Sequence, residues 1–289
     1  MLNIFILNWD SAVSVQKCIT NVLKSDDKNF RIILINNFST GSDLIEIRNI
    51  YDTLKEIVEI YLIENNENLG YAGGNNSGLN FLFSKNLTGN ILILNPDILI
   101  SKNTISEMKK ALEGNVGIVT VRTINTKGEI LFDAIHLKGF FQYNVISNQE
   151  VISTDYSQGS CMLIKREIIE QIGLFDERFY LYWEELDFSL RVKRLGNQLI
   201  STTKTFITKN TNCDSRQPAA FYYSVRNAKL LKEKHGAIFT NSAYFSYLFR
   251  MFLITFKFAF KPQLYLKVIL NYFSAIHDSF LNKYYSKPK

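Results

Sequence analysis

Short apolar runs alternate with amphipathic segments along the first 125 residues. The apolar runs lie at 2–8, 31–36, 59–64 and 91–94. Segments with a helical spacing of apolar residues lie between them, at 11–24, 43–57 and 75–84. Strands of a parallel sheet are buried on both faces, so they read as continuous apolar runs, and their connections are helices. The pattern predicts an α/β fold with a mostly parallel sheet and helices on both faces.

The pattern becomes less regular after residue 125. Residues 129–152 fit hairpins, and SCMLIK at 160–165 fits a further strand. Residues 183–196 have a helical apolar stripe and end at Gly196, a residue that commonly terminates a helix. These segments extend the predicted sheet and add one acidic helix to it.

The basic charge is concentrated at the carboxyl-terminal end. The net charge is +6, and the residues from 241 onward carry seven Lys or Arg against one acid, so the charges of residues 1–240 cancel. A neutral main portion argues against nucleic-acid binding. Residues 238–282 are also rich in aromatic and aliphatic side chains. We therefore expect a main domain over residues 1–235 and an amphipathic helical extension over residues 236–289.

The cysteines and the amino-terminal segment give no sign of an oxidising compartment. Cys18, Cys161 and Cys213 are odd in number and far apart, so neither a disulfide framework nor a zinc site is indicated. The start MLNIFILNWD has no basic segment before its short apolar run, which indicates a first strand rather than a signal peptide. We expect a cytoplasmic protein.

Polar residues follow each of the four apolar runs. The groups are Asn8-Trp9-Asp10, Asn36-Asn37-Phe38-Ser39, Glu64 through Gly74, and Asn95-Pro96-Asp97. Each group alone is explained by a turn. Ligands of a parallel sheet bind at the carboxyl ends of its strands, however, so four such groups in succession favour a polar ligand.

The common phosphate-binding loops are absent from these strand ends. Neither GxGxxG nor GxxxxGK[ST] follows any of the four runs. The segment ENLGYAGGNNSGLN is rich in glycine and would let backbone approach a phosphate. Taken alone, it is better explained as a flexible loop.

Five segments of the chain form an ordered set of motifs. They are INNFST, NENLGYAGGNNSG, LNPDI, GSCMLIKREIIEQIGLFDERFYLYWEELDFSLRVKRLG and YYSVRN. In this order they resemble the bacterial glycosyltransferases of family 2, most closely the rhamnosyltransferase-like branch of O-antigen and capsule synthesis. The resemblance covers roughly residues 3–235. It implies a GT-A fold and transfer of a sugar, with inversion, from a nucleoside diphosphate.

The resemblance also implies a divalent cation, Mg²⁺ or Mn²⁺, at Asp97. Asn95-Pro96-Asp97 stands where the family has Asp-x-Asp. Magnesium takes only one or two protein carboxylates when substrate phosphates supply the other ligands. The alternative is a turn after a strand. Family members often have a histidine near the metal, and here Thr208 or Lys209 stands in its place, so weak metal affinity or compensation of phosphate charge by Lys209 is expected.

Glu185 is the candidate general base by the same resemblance, which has Asp at this position more often than Glu. The alternative is structural, because acids in the first turn of a helix favour its dipole. Tyr182, Trp183 and Glu184 are the candidates for contact with the sugar or the acceptor. An exposed aromatic side chain there would stack on a sugar, and packing in the core is the alternative.

Two further expectations concern structure and not catalysis. Asp187 and Arg191 are spaced i, i+4 with the acid first, so we interpret them as a helical ion pair. His235 follows the YYSVRN segment and is expected to be a cation at a helix end.

The nucleotide contacts implied by the resemblance lie at the strand ends. They are Asn8, Asn36, Ser39, Asn68, Gly70 and Asn95. Asn36 replaces a usual Asp, so a neutral amide oxygen would accept from the base.

The carboxyl-terminal extension has the composition of a membrane-surface segment. Charged residues interrupt its apolar runs well below the ~18 residues that span a bilayer. A basic, aromatic and amphipathic helix pair suits the anionic inner leaflet, where lipid-linked glycan acceptors lie. The alternatives are a helical lid or a dimer face, which would make the protein a homo-oligomer.

The combined hypothesis is a peripheral membrane enzyme that transfers L-rhamnose from dTDP-rhamnose to a lipid-linked O-antigen or capsule acceptor. One alternative is a degenerate, non-catalytic sugar-nucleotide-binding or scaffold protein. The other is a sugar nucleotidyltransferase, which would need a Gly-rich loop with Arg or Lys after the first strand. LNWDSAVSV has none.

Overall fold

The computed structural model describes residues 1–209 and 217–284. Cys213 lies outside the described residues. Cys18 and Cys161 are both buried free thiols.

The helices and strands alternate as the apolar pattern predicts. The strands are β1 (Leu2–Asn8), β2 (Phe30–Asn36), β3 (Ile60–Glu64), β4 (Asn90–Leu94), β5 (Ile98–Ile100), β6 (Val116–Asn125), β7 (Ile130–Phe132), β8 (Ala134–Lys138), β9 (Phe141–Val145), β10 (Val151–Ser153), β11 (Cys161–Ile164) and β12 (Gln198–Lys209). The helices are α1 (Ala12–Val22), α2 (Gly41–Leu54), α3 (Gly70–Ser84), α4 (Thr104–Ala111), α5 (Arg166–Ile172), α6 (Glu184–Arg194), α7 (Gln217–Lys234), α8 (Asn241–Thr255) and α9 (Pro262–Phe280). Short 3-10 helices lie at Glu177–Phe179 and Phe256–Phe258.

One large mixed sheet organises the described residues. Its order is β10-β12-β6-β11-β4-β1-β2-β3, with β5 beside β12 and β7 beside β6. The strands β3, β2, β1 and β4 are parallel to one another. The strand β11 is antiparallel to β4 and to β6. The predicted α/β fold with a mostly parallel sheet is confirmed, and β8 and β9 form the expected hairpin.

The two faces of the sheet are covered by different helices. In β1, Ile4 and Ile6 belong to the apolar cluster shared with α1 and α2, whereas Phe5 belongs to the cluster shared with α3 and α6. Successive side chains of a strand point to opposite faces, so a central strand needs apolar residues at every position. This explains why β1 and its neighbours read as unbroken apolar runs.

The Gly-rich segment is helical, which corrects its interpretation as a loop. The helix α3 begins at Gly70 rather than near residue 75. A Cβ at Gly78 would lie 2.7 Å from Ile35 Cδ1, so the helix rests on the sheet more closely than any side chain allows. A Cβ at Gly70 would lie 2.3 Å from the carbonyl oxygen of Tyr180. These glycines let the helix lie close to the sheet and to the Tyr180 backbone.

The helices α8 and α9 pack on the rest of the protein through an aromatic cluster. Its carboxyl-terminal members include Tyr244, Tyr247 and Tyr272, and they share the cluster with Phe140 and Trp183. The expected boundary at residues 235 and 236 stays a prediction. No helix among residues 1–209 and 217–284 is long and apolar enough to cross a membrane.

Gly70→Ala is expected to lower stability much more than Gly41→Ala. Both glycines begin a helix, with φ of 71° and 60°, where a side chain costs about 1–2 kcal/mol. The added Cβ meets Tyr180 only at residue 70, since nothing lies within 4 Å at residue 41. The urea midpoint should therefore fall further for Gly70→Ala. Equal midpoints would contradict the close contact.

Candidate active site

The carboxyl ends of the parallel strands lie level at one edge of the sheet. Asn8 pairs with Asn36, and Asn36 pairs with Glu64 in the strand register. The Asn8 amide donates to Asn36 Oδ1 at 3.2 Å and to Ser39 Oγ at 3.0 Å. It also donates to Asp43 at 2.7 Å. One hydrogen-bonded network thus joins the loops after β1 and β2.

Three of the residues expected to contact a nucleotide, Asn8, Asn36 and Ser39, are buried in that network. Asn8 is 0% exposed, and Asn36 and Ser39 are each 2% exposed. Ser39 Oγ accepts from the backbone N–H of Asp10 at 2.8 Å, so its hydroxyl shapes the loop. Direct contact with a nucleotide stays a prediction for these side chains. What the geometry assigns to them is support of the two loops.

Two exposed aromatic residues lie on these same loops. Trp9 is 54% exposed and Phe38 is 47% exposed. Phe38 has a φ of 69°, and Asp10, which follows Trp9, has a φ of 47°. L residues adopt this conformation mainly in constrained turns. The sequence placed both aromatics after apolar strands, but it did not distinguish an exposed ring from a core ring. They are candidate ligand contacts that sequence reasoning missed.

Asn68 and Gly70 connect the sheet edge to the start of α3. Asn68 Oδ1 accepts from the Gly70 N–H at 2.9 Å, from Asn37 Nδ2 at 3.0 Å and from the Tyr180 hydroxyl at 3.1 Å. The helix N–H groups of Tyr71 and Ala72 donate to the Tyr180 carbonyl oxygen, at 2.7 and 3.2 Å. The Tyr180 carbonyl oxygen therefore occupies the start of α3, where the glycine-rich sequence would have let a phosphate bind.

Asp97 lies in the turn between β4 and β5, near Lys209, the last residue of β12. The backbone N–H of Asn95 donates to the Ser160 carbonyl oxygen at 3.0 Å, which joins this turn to β11. Lys209 pairs with Ile98 in the strand register, directly after Asp97. The half-buried Asp97 carboxylate makes no hydrogen bond or ion pair with any described residue. Its oxygens are thus available to a ligand.

Glu185 is positioned by the backbone of Gly159. The Gly159 N–H donates to Glu185 Oε1 at 3.3 Å, and the Gly159 carbonyl oxygen accepts from the Tyr71 hydroxyl at 2.6 Å. A Cβ at Gly159 would lie 2.5 Å from the Tyr71 hydroxyl oxygen and 2.9 Å from Glu185 Cγ. The site therefore requires a residue without a side chain at this position.

The electrostatics place Asp97 and Glu185 in one site. Burial raises the pKa of the Tyr71 phenol, and the carboxylates of Glu185 and Glu184 raise it further. The Asp97 carboxylate acts on the same phenol. The hydrogen bonds give the geometry: the Tyr71 hydroxyl and Glu185 both bond Gly159, and the adjacent Ser160 carbonyl oxygen accepts from the Asn95 N–H in the Asp97 turn. Asp97 and Glu185 are not on opposite sides of the molecule.

The pKa of Glu185 is the balance of opposing influences. Burial raises the pKa of this carboxyl above its usual value, because the charged form loses hydration. The Gly159 N–H and the Lys209 ammonium lower the pKa again. Lys209 is half-buried and pairs with Ile98, next to Asp97, and compensation of phosphate charge by Lys209 stays a prediction.

Trp183 and Glu184 are buried, so Trp183 is not the exposed aromatic residue considered for stacking on a sugar, and contact of Glu184 with the sugar or the acceptor stays a prediction. Trp183 is 9% exposed, donates through Nε1 to the Ser224 carbonyl oxygen at 2.9 Å and packs edge-on against Phe140. Glu184 is 1% exposed, and its Oε2 has no hydrogen-bond partner among the described residues. The aromatic cluster takes up the indole face, so Trp183 offers no stacking surface. Tyr182 is half-buried, and its contact with a sugar stays a prediction.

The buried acid Asp187 anchors α6. Arg191 Nε donates to Asp187 Oδ2 at 2.9 Å, so the predicted i, i+4 pair is confirmed. Lys234 Nζ lies 2.8 Å from Asp187 Oδ1. His235 directly follows α7, as expected for a residue at a helix end, and it is 1% exposed with Nε2 2.8 Å from the same oxygen. These partners hold the pKa of Asp187 below its usual value against the effect of burial.

The candidate metal site is a single carboxylate. Within the described parts of the chain, no three His, Cys, Asp or Glu side chains come together as a ligand cluster. Mg²⁺ bound mainly by substrate phosphates and water needs only one or two protein carboxylates, and the unpaired Asp97 oxygens fit that requirement.

The fold and the level strand ends define a GT-A protein, a mostly parallel sheet with its candidate site at the carboxyl edge. Residues 4–173 match the family model "Glycosyl transferase family 2", so the chain belongs to glycosyl transferase family 2. A relative from Haloferax volcanii, described as low-salt glycan biosynthesis hexosyltransferase Agl10, is 27% identical over 190 residues. The match covers 56% of this chain and 61% of that protein.

Two solved structures share the fold. One is the mannosyltransferase PcManGT from Pyrobaculum calidifontis in complex with GDP-Man and Mn²⁺, with a TM-score of 0.63 and 13% identity over 98% of this chain and 87% of that one. The other is GalNAc-T7 with UDP, GalNAc and Mn²⁺, with a TM-score of 0.61 and 14% identity over 78% of this chain and 47% of that one.

Glu184→Gln is expected to stabilise the protein increasingly as pH rises. Burial raises the pKa of Glu184 well above its ordinary value of 4.5, so the folded state holds a proton that the unfolded chain loses above that pH. Wild type therefore loses stability as the pH rises above about 4.5, and the variant is spared this loss. Thermal midpoints across this range would measure the widening difference.

Glu113→Gln, at an exposed position, controls for the loss of one charge. A constant difference between Glu184→Gln and wild type across the pH range would contradict a proton held by the buried carboxyl.

Proposed function

We propose that this chain is an inverting glycosyltransferase that transfers L-rhamnose from dTDP-rhamnose to a lipid-linked O-antigen or capsule acceptor. The observation that carries the proposal is that the turn of Asp97 and the carboxylate of Glu185 bond to adjacent residues: the Asn95 N–H donates to the Ser160 carbonyl oxygen, and the Gly159 N–H donates to Glu185. The first carboxylate comes from the end of a central strand and the second from the first turn of α6. Neither is tied up in an ion pair within the described residues.

Glu185 is the general base of the proposed reaction. It removes the proton from the acceptor hydroxyl as that oxygen attacks the anomeric carbon from the face opposite the diphosphate. A raised pKa suits this task, because a base is most effective when its pKa approaches the working pH. The Gly159 N–H bonds the carboxylate, and the Lys209 ammonium favours its ionised form.

Asp97 holds the donor diphosphate end of the site. Its carboxylate would bind a divalent cation, which supplies Lewis-acid stabilisation of the leaving diphosphate. Lys209, directly beside this position, adds a fixed positive charge for the phosphates. Asn95 lies in the same turn and is available to a ribose hydroxyl. These residues meet the requirement that charge on the leaving group be neutralised.

The nucleoside lies over the ends of β1 and β2 in this proposal. Trp9 and Phe38 present exposed rings there, and a base stacks on such rings. Asn8, Asn36 and Ser39 hold the two loops in place beneath them. The nucleotide end and the Asp97 turn share the same edge of the sheet.

The choice of rhamnose rests on the sequence resemblance. The relative in Haloferax volcanii is described as a hexosyltransferase, and the Pyrobaculum calidifontis protein was solved with GDP-Man. Other hexose nucleotides are therefore the competing donors. A non-catalytic sugar-nucleotide-binding protein is the competing function, because Glu replaces the more usual Asp at residue 185.

Turnover of sugar nucleotides by wild type, Asp97→Ala and Glu185→Gln tests the proposal. dTDP-rhamnose, GDP-mannose and UDP-hexoses are supplied with bacterial membranes as acceptor source, with and without Mn²⁺. Wild type is expected to use dTDP-rhamnose. Glu185→Gln should reduce kcat by roughly 10²–10⁴-fold, the usual contribution of a general base.

Asp97→Ala should abolish the response to Mn²⁺, and Asp10→Ala, at an exposed position on the neighbouring loop, is the matched control for loss of a carboxylate. Turnover of Glu185→Gln at the wild-type rate would overturn the assignment of the base. Binding of dTDP-rhamnose without turnover in any membrane preparation would favour the non-catalytic alternative.

The outer face of α8 and α9 supports location at the inner surface of the cell membrane. Large apolar residues protrude along both helices, each 48–98% exposed: Phe245, Phe249, Leu253, Phe256, Phe260, Leu266, Leu270, Phe273, Phe280 and Leu281. In α8, three of them follow the i, i+4 spacing of one helix face. A row of exposed large apolar residues along a helix face supports an interaction site there.

The charges on this outer face favour an anionic lipid surface over a protein partner. Arg250, Lys257, Lys261 and Lys267 are exposed among the apolar residues. The one acid of the segment, Asp278, accepts a hydrogen bond from the Tyr222 hydroxyl at 2.7 Å on the inner side. Basic residues flanking exposed phenylalanines suit acyl chains and anionic headgroups together.

Cosedimentation with vesicles tests the membrane proposal. Binding to vesicles that contain phosphatidylglycerol should exceed binding to phosphatidylcholine alone. The double variant Phe249→Ser, Leu270→Ser should weaken binding roughly tenfold or more, because it removes two large apolar side chains from the lipid contact.

Ile45→Ser with Ile57→Ser, at positions 60% and 68% exposed elsewhere on the surface, is the matched control. If wild type ignores the vesicles and sediments as a dimer that Phe249→Ser, Leu270→Ser dissociates, the face joins two copies and the membrane proposal is wrong.

A further inference from the structure

The segment before α6 is held in a conformation that its residues disfavour. Tyr180, Tyr182 and Trp183 have φ of 62°, 68° and 76°, in the left-handed region. For bulky residues each such conformation costs about 1–2 kcal/mol. Three of them within four positions persist only where surrounding contacts enforce them. The residues that enforce them are on α7.

Asn227 bonds the backbone on both sides of the strained positions. Its side-chain amide donates to the carbonyl oxygens of Phe179, Leu181 and Tyr182, at 2.7, 2.9 and 2.9 Å. Two amide hydrogens are thus shared among three carbonyl groups. Asn227 is 0% exposed, so water does not replace these bonds.

Arg226 bonds the same segment and orients Asn227. Its guanidinium donates to the Phe179 carbonyl oxygen at 2.8 Å, and its Nε donates to Asn227 Oδ1 at 2.9 Å. Arg226 is 0% exposed, and its guanidinium lies over the rings of Tyr223 and Tyr222, at 4.8 and 5.7 Å from their centres. The bond to Oδ1 fixes which edge of the Asn227 amide faces the strained segment.

The strained segment is connected both to Glu185 and to Gly159, the hydrogen-bond donor of Glu185. Trp183 is directly followed by the first turn of α6, which carries Glu185. The Tyr180 carbonyl oxygen accepts from the first N–H groups of α3 at Tyr71, whose hydroxyl bonds Gly159. Gly159 in turn donates to Glu185. A shift of the segment would therefore move the carboxylate and its hydrogen-bond donor together.

We propose that Arg226 and Asn227 are positioning residues that hold the strained segment 180–183 and thereby aim Glu185 at the acceptor hydroxyl. Both side chains are 0% exposed, so the role proposed for them is to position other groups and not to contact a substrate. It fixes backbone carbonyls by hydrogen bonds that the segment cannot replace. This inference rests on the proposed function for its catalytic consequence, whereas its structural content stands without it.

The test compares Asn227→Ala with Asn271→Ala. Asn271 also donates its amide to a backbone carbonyl that α7 supplies, Pro218 at 2.9 Å, but it does not contact the strained segment. Asn227→Ala is expected to lower kcat roughly 10- to 100-fold with the KM for dTDP-rhamnose within about threefold of wild type, because misplacement of a reacting group reduces kcat. Asn271→Ala should leave kcat within about threefold, whatever its thermal midpoint.

Hydrogen exchange supplies a measurement that does not depend on turnover. In Asn227→Ala, peptides covering residues 70–72 and 180–186 should exchange faster than in wild type, whereas peptides from the central strand β1 should not change. Arg226→Lys keeps the charge but loses the planar fork, so it should give an intermediate result in both measurements. Arg226→Lys also tests the proposal if Asn227→Ala does not fold.

Unchanged exchange at residues 70–72 and 180–186 in both Arg226→Lys and Asn227→Ala would overturn the positioning role. An equal loss of kcat in Asn227→Ala and Asn271→Ala would do the same, because general destabilisation would then explain both. If wild type turns over no sugar nucleotide, the proposed function fails, and the exchange data still decide whether the pair holds the segment.

Discussion

The candidate site depends on the backbone of one residue without a side chain, Gly159. Its N–H donates to Glu185 and its carbonyl oxygen accepts from Tyr71, so this one residue, just before β11, joins α3 and α6. Any Cβ at this position would collide with both partners. Because a glycine permits this close approach, the carboxylate is half-buried and yet bonded. The positions of Tyr71 and Glu185 are therefore not independent of each other.

The same region separates its acids into two environments. Asp187 is buried among Arg191, Lys234 and His235, which makes it an anchor of α6 rather than a reactive group. Glu185, two positions earlier, has a backbone N–H and the more distant Lys209. Neighbouring carboxylates whose surroundings shift their pKa values in opposite directions often divide structural and chemical roles in this way.

The two faces of the carboxyl-terminal helices differ in exposure. The inner face places Tyr244, Tyr247 and Tyr272 in the aromatic cluster that also contains Trp183. The outer face carries the exposed phenylalanines and leucines. Packing on the main domain and contact with a lipid surface, which the sequence presented as alternatives, are thus compatible. This geometry would hold a membrane-facing surface at a fixed distance from the acidic helix.

The sequence by itself determined the parallel sheet, because central strands must be apolar at every position, and it determined the Asp187–Arg191 pair, because helical spacing is local. It also marked the strand ends and the acidic helix as the candidate site. Only the tertiary structure decided that Trp183 is packed in the core, that Asn36 is buried and that α3 begins at Gly70. These outcomes depend on contacts such as that between Tyr71 and Gly159, which are 88 positions apart. A periodic pattern describes a residue's own element, whereas exposure and partners come from elements that only folding brings together.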